Sequence, residues 1–133
     1  MKEMTLQERM DYAARRKSEM NCCQAVLVAF ADKLGKGEEE LLRLGSGFGS
    51  GMGTMEGTCG ALVGAIMVSS LLSPDGEARN NSRAIMSRFK ELCGGATICR
   101  DLKGIETGKM LCSCEDCVRN AVLSAGEALK IKF

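Results

Sequence analysis

A chain of 133 residues has room for one ordinary domain and too little for two comfortable ones. Its eight cysteines stand beside no histidine and no tryptophan, which excludes a Ser-His or Cys-His catalytic pair, a zinc finger with two Cys and two His ligands, and His-ligated haem. With 18 Lys and Arg against 17 Asp and Glu the net charge is only +1, and four Phe and one Tyr leave few rings for base stacking, so nucleic acid is a poor partner.

Helical periodicity runs through nearly the whole chain. Thr5 caps a first helix, Glu8 completes a capping box, and Leu6, Met10, Ala13 and Ala14 share one face. A second helix opens at its cap Asn21 and runs to about Leu34, where Gly35 and Gly37 end it; Val26, Phe30 and Leu34 form its stripe. Residues 38–44 make two further turns. Residues 45–57 hold six glycines in thirteen positions and cannot be regular helix. They contain neither GxGxxG nor the Lys-Ser/Thr ending of a P-loop, and read as a loop where backbone must approach something closely.

The helix from Thr58 to about Leu72 is apolar on every side, which predicts a central, surrounded position, and Gly60 and Gly64 leave one face nearly bare backbone. Ser73-Pro74-Asp75-Gly76 is a turn. A helix over about 77–92 turns Ala78, Ile85, Phe89 and Leu92 inward and Arg79, Arg83, Arg88 and Lys90 largely outward, and Gly94-Gly95 stops it. A short helix from Thr97 carries Cys99, residues 104–108 form a loop, and a last helix runs from Ser113 to about Lys130. No period-two run predicts a strand. The expected fold is all-α: a single compact multi-helix domain over residues 1–133, with its central helix at about 58–72 and the glycine-rich loop before it.

The amino terminus is polar and has no secretory apolar core. The longest apolar stretch, 61–72, is interrupted by Gly64, Ser69 and Ser70 and is too short to span a bilayer. A cytoplasmic protein is expected, and there thiols stay reduced, which favours redox or metal chemistry over structural bridges. With 45% apolar residues, the core has no need of disulfide staples.

Cys22, Cys59, Cys99 and Cys117 each fall in the first turn of a different predicted helix. Unsatisfied N–H groups and the positive end of the helix dipole favour a thiolate there. Backbone N–H groups around Gly57 to Gly60 would steady a thiolate at Cys59, with Arg100 or Lys103 adding positive charge. Cys23 points about 100° from Cys22 on a helix and reads as core. Cys93 reads as core or as a spare thiol. Cys112, Cys114 and Cys117 form a CxC overlapped by a CxxC, the geometry of a dithiol pair or of half a zinc site, and no second CxxC completes the zinc site.

Five segments, Asn21-Cys-Cys-Gln-Ala-Val-Leu27, Gly47-Phe-Gly-Ser-Gly-Met-Gly53, Thr58-Cys-Gly-Ala-Leu-Val-Gly-Ala65, Thr97-Ile-Cys-Arg-Asp-Leu102 and Cys117-Val-Arg119, together resemble the family of redox-active proteins known as C_GCAxxG_C_C. The resemblance spans nearly the whole chain from about Glu8. It implies a small helical protein with redox activity, often encoded near transporter genes, and its four cysteines map onto Cys22, Cys59, Cys99 and Cys117. It implies no particular substrate or reaction. Cys23, Cys93, Cys112 and Cys114 are additions to the pattern, and the first of them leaves open whether Cys22 or Cys23 is the working thiol.

Three readings stand at this point. In the first, Cys59 is a low-pKa nucleophile and Cys22, Cys99 or Cys117 resolves its mixed disulfide. In the second, Cys22, Cys59, Cys99 and Cys117 together hold Zn²⁺, Cu⁺ or an iron–sulfur cluster. In the third, the thiols are inert and the Gly60/Gly64 face packs on a second copy to make a homodimer. A redox partner, a transporter-associated protein and peripheral membrane contact are all compatible with the sequence. Sulfur positions discriminate: one tetrahedral cluster would mean metal, and close pairs would mean redox.

Overall fold

Local chemistry at the helix starts sets the first boundaries. The Thr5 hydroxyl accepts the Glu8 N–H at 3.1 Å while the Glu8 carboxylate accepts the Thr5 N–H at 2.9 Å. Asn21 and Gln24 repeat the exchange at 2.9 and 3.0 Å, and the Ser113 hydroxyl accepts the Asp116 N–H at 3.1 Å. Each arrangement satisfies N–H groups that an isolated helix start leaves open.

The computed structural model describes residues 3–131. Eight α-helices lie among them: α1 (Leu6–Arg16), α2 (Cys22–Val28), α3 (Ala31–Leu34), α4 (Glu38–Gly45), α5 (Gly60–Leu72), α6 (Ala78–Leu92), α7 (Cys99–Lys103) and α8 (Cys114–Leu129). The described residues contain no strand, and a lone antiparallel bridge joins Thr58 to Ile98. The fold is all-α, and no described helix is long and apolar enough to cross a membrane.

Two boundaries differ from the sequence expectation. The second helix breaks after Val28, because Phe30 adopts φ −116°, and the one-turn α3 follows until Gly35 at φ +65° ends it. The cap of α5 falls on Cys59 itself, because Thr58 is drawn into the bridge with Ile98 and the Cys59 N–H donates to Thr97 at 2.8 Å. Both causes lie outside the local pattern.

Helix α5 occupies the centre, packed against α2, α6 and α8, while α1 lies on α8. Leu62, Val68, Leu27, Phe89, Val118 and Val122 are fully buried between these helices. The two glycines of α5 set the closeness of its crossing with α2. A Cβ at Gly64 would lie 2.9 Å from the Cys23 carbonyl oxygen, and one at Gly60 would lie 2.7 Å from that of Phe48. On the far side of α2, the fully buried Arg9 places its guanidinium 2.6 and 2.8 Å from the two Asp32 oxygens and donates to the Ala29 carbonyl at 2.9 Å. A charge at that depth requires such partners.

The glycine-rich segment folds into a 3-10 turn at Ser46–Phe48 and a π-type turn at Gly51–Met55. Ser50, Met52 and Met55 take positive φ values of 50°, 61° and 67°, beside Gly51 and Gly53 at 58° and 78°. The close approach expected of this segment is present at Gly51, where a Cβ would lie 2.7 Å from Cys99 Cβ.

Candidate thiol site

Crossing at bare backbone brings the starts of α2 and α5 together, and α7 and α8 add theirs from the other side. Cys22 is the first residue of α2, Cys59 caps α5, Cys99 is the first residue of α7 and Cys114 the first of α8. These four cysteines line a recess of about 190 Å³ with Lys17 and Lys103, and Ser50 and Met55 from the glycine segment form one wall. Cys22, Cys59 and Cys99 are buried, whereas Cys114 is half-buried at the mouth. All eight cysteines carry free thiols.

Cys117 sits one turn into α8 and is fully buried behind Cys59. The Lys103 ammonium approaches Cys117 Sγ to 3.4 Å and donates to the Cys112 carbonyl at 3.0 Å. Beyond Cys117, Cys112 Sγ lies 3.4 Å from Cys93 Sγ, and the Asn120 side-chain amide donates to both sulfurs at 3.7 and 3.3 Å respectively. The sulfurs of Cys93, Cys112 and Cys117 all lie within 4.8 Å of one another, and theirs is the metal-competent grouping among the described residues. Cys22, Cys59 and Cys99, expected to share a metal with Cys117, do not belong to that grouping.

The electrostatics divide the thiols into two kinds. Cys59 is held down to about 7 by the Cys117 thiol beside it, against the penalty of burial, with further help from the backbone N–H groups of Ala61 and Leu62 and from Lys103. Cys114 is held down to about 5 by the Cys22 thiol, again against burial, and by Lys103 and Lys17. Cys112 is likewise lowered, chiefly by the Cys117 and Cys93 thiols. Their partners move the other way: Cys22 is raised by Cys114 and by burial, and Cys117 by Cys112, Cys59 and Cys93. Adjacent thiols share protons in this way, so each pair titrates as a unit. Lys103 stays charged although burial opposes it, because the sulfurs of Cys117, Cys114 and Cys59 surround it.

Several sequence expectations resolve here. The amides beside the Cys59 sulfur belong to Ala61 and Leu62, whereas the Gly57 N–H donates to Gly51 at 3.1 Å. Gly60 lines the recess and admits the α2 backbone. Of the two cations proposed, Lys103 serves the sulfurs, while Arg100 faces Glu106 at 3.2 Å and Glu56 at 3.8 Å. Cys99 contacts Met55 Sδ at 3.6 Å, and burial raises its pKa. Cys23 points away, 3.8 Å from Met67 Sδ, with burial pushing its thiol up to about 12. Sequence reads Cys112, Cys114 and Cys117 as a dithiol pair or half a zinc site and Cys93 as core or a spare thiol; in the structure Cys114 lines the recess, and Cys112 and Cys93 face each other.

A small helical bundle that gathers buried free thiols around one lysine defines a class: an all-α, cysteine-rich thiol protein. The chain belongs to the family described as "Putative redox-active protein (C_GCAxxG_C_C)", which matches residues 20–128. Neither a curated protein nor a solved structure matches the chain.

Proposed function

We propose that this protein is a thiol–disulfide exchange protein, built as one helical domain and working in a reducing compartment such as the cytoplasm. The observation that carries the reading is geometric: Cys22, Cys59, Cys99 and Cys114 line one recess beside Lys17 and Lys103, and within it Cys114 and Cys59 are the thiols held low beside their neighbours Cys22 and Cys117. A nucleophile and a resolving thiol need that division of labour.

The chemistry runs as two displacements. The Cys114 thiolate at the mouth, or Cys59 deeper in, attacks one sulfur of a substrate disulfide; the other sulfur leaves as thiolate and takes a proton from water. The paired thiol, Cys22 or Cys117, then gives up its proton and attacks the mixed disulfide, forming an intramolecular bond and releasing the second thiolate. Two electrons pass from the protein to the substrate, which leaves as two thiols. Lys103, and Lys17 at the mouth, offset the negative charge that accumulates on sulfur. Alkylation at pH 6 followed by peptide mapping tests this. Cys114 should label first, with Cys112 and Cys59 ahead of the remaining thiols, because ordinary thiols of pKa about 8.5 are then under 1% ionised. Labelling that follows an ordinary thiol profile at every cysteine would refute the proposal.

A second reading rests on the Cys93, Cys112 and Cys117 sulfurs, which have the softness and spacing for a thiolate-bound Zn²⁺ or Cu⁺. Metal analysis of protein purified without oxygen decides it: a stoichiometric ion that Cys93→Ser removes supports a metal protein, and its absence leaves exchange alone.

A further inference from the structure

The exchange reading uses Cys22, Cys114, Cys59 and Cys117, and leaves a buried pair, Cys93 and Cys112, without work. We propose that Cys112 and Cys93 are the acceptor pair of an internal relay, carrying an oxidising equivalent from the recess through Cys117 to the opposite face of α8. This inference rests on the exchange reading and assigns the next step of the same site.

Geometry connects the sulfurs as an arm and a triangle. Cys59 has Cys117 behind it, Cys117 lies within 4.8 Å of both Cys112 and Cys93, and those two are 3.4 Å apart. Each neighbour is therefore within a side-chain rotation or small shift of bonding to the next. The arm and the triangle face different places: Cys59 lines the recess, whereas Cys112 lines a separate surface groove with Leu92, Leu111 and Asn120. Polar partners are already placed for the sulfurs that must carry charge. Lys103 stands 3.4 Å from Cys117 Sγ, and the Asn120 amide stands 3.3 Å from Cys93 Sγ and 3.7 Å from Cys112 Sγ.

The steps balance without an outside reagent once the recess disulfide exists. The Cys112 thiolate attacks Cys117 Sγ, the Cys59–Cys117 bond breaks, and Cys59 leaves as a thiolate beside the Ala61 and Leu62 amides. Cys93 then attacks Cys112 Sγ and the Cys112–Cys117 bond breaks. The proton of Cys93 passes to Cys117. Cys59 and Cys117 end reduced, Cys93 and Cys112 end oxidised, and two electrons have moved toward the recess. The recess is thereby free to reduce a second substrate disulfide.

The test uses the full-length reduced protein, without oxygen, and two equivalents of dithiodipyridine, enough to oxidise both the Cys22–Cys114 and the Cys59–Cys117 pair; the released thione reports the exchange. Samples quenched in acid over time are alkylated and their disulfides mapped by peptide mass spectrometry. The expected course is a Cys59–Cys117 bond that rises and then falls as Cys93–Cys112 takes its place, with thione release complete before the change. In Cys93→Ser the bond should stop at Cys59–Cys117 or Cys112–Cys117. A Cys59–Cys117 bond that persists in wild type while Cys93 and Cys112 still alkylate would overturn the relay and leave the exchange reading standing. Absence of any recess disulfide would overturn both.

Discussion

Lys103 is the cation on which the thiolates converge, and replacing it with methionine, which keeps the length and apolar stem, isolates the charge. Lys103 helps hold both the Cys59 and the Cys114 thiolate down, and two unit charges about 5 Å apart attract by about 3 kcal/mol at an effective dielectric of 20. Lys103 is half-buried, so solvent screening leaves a fraction of that figure. An upward move of about one to two pKa units at Cys59 and Cys114 follows, each unit being about 1.4 kcal/mol. Iodoacetamide labelling at pH 6, read cysteine by cysteine, should slow by about 10- to 100-fold at Cys59 and by about 2- to 10-fold at Cys114, which starts mostly ionised at that pH, since the rate tracks the thiolate fraction. Cys23, which has no contact with Lys103, serves as the internal control. If Cys59 and Cys114 keep their wild-type rates in a folded Lys103→Met protein, then the lysine does not hold the thiolates and the electrostatic account of the site is wrong.

Other outcomes follow from the packing and charge. Gly64→Ala gains about 1 kcal/mol of helix propensity, yet its Cβ meets the Cys23 carbonyl at 2.9 Å and Val26 Cβ at 3.0 Å. Overpacking of about 1–3 kcal/mol should win, so urea unfolding should show a lower midpoint than wild type, and a higher one would show that the helices part easily. Asp32→Asn strips the main counter-charge from the buried Arg9 and should cost about 2 kcal/mol in the same assay. The Arg9 contact lowers the Asp32 pKa. Its contribution is therefore present above the ordinary carboxylate range and lost as pH falls through the folded pKa, so the gap between wild type and Asp32→Asn should narrow in acid. Cys23→Ala should reduce stability by about 1 kcal/mol through lost packing while leaving the order of cysteine labelling unchanged; altered labelling of Cys22 would place Cys23 within the exchange network.

What the sequence disclosed was local, and what it withheld was not. Thr5, Asn21 and Ser113 announced their helix starts because a cap is a matter of three or four consecutive residues. The break after Val28 left no mark, since residues 25–31 are apolar throughout and the cause is how Phe30 seats in the core. The same division governs the site. Cys22, Cys59 and Cys99 could be recognised by their position at helix starts, and they do line one recess. Which sulfur faces which depends on how α8 lies across α5 and α2, so the partners Cys114 for Cys22 and Cys93 for Cys112 were beyond reach of spacing arguments. Lys103 over Arg100 was decided by three residues of helix rotation and two glutamates.

The wall of the recess has a different character from its floor. Helix starts hold the sulfurs, those of α2 and α8 capped by Asn21 and Ser113 and that of α5 by its close crossing with α2, whereas Ser50 and Met55 in the wall are side-chain-bearing residues kept in left-handed backbone. Each such residue stores about 1–2 kcal/mol that its neighbours must outweigh. The sulfurs and the wall beside them are thus held by separate parts of the chain, helix starts for the first and left-handed backbone for the second.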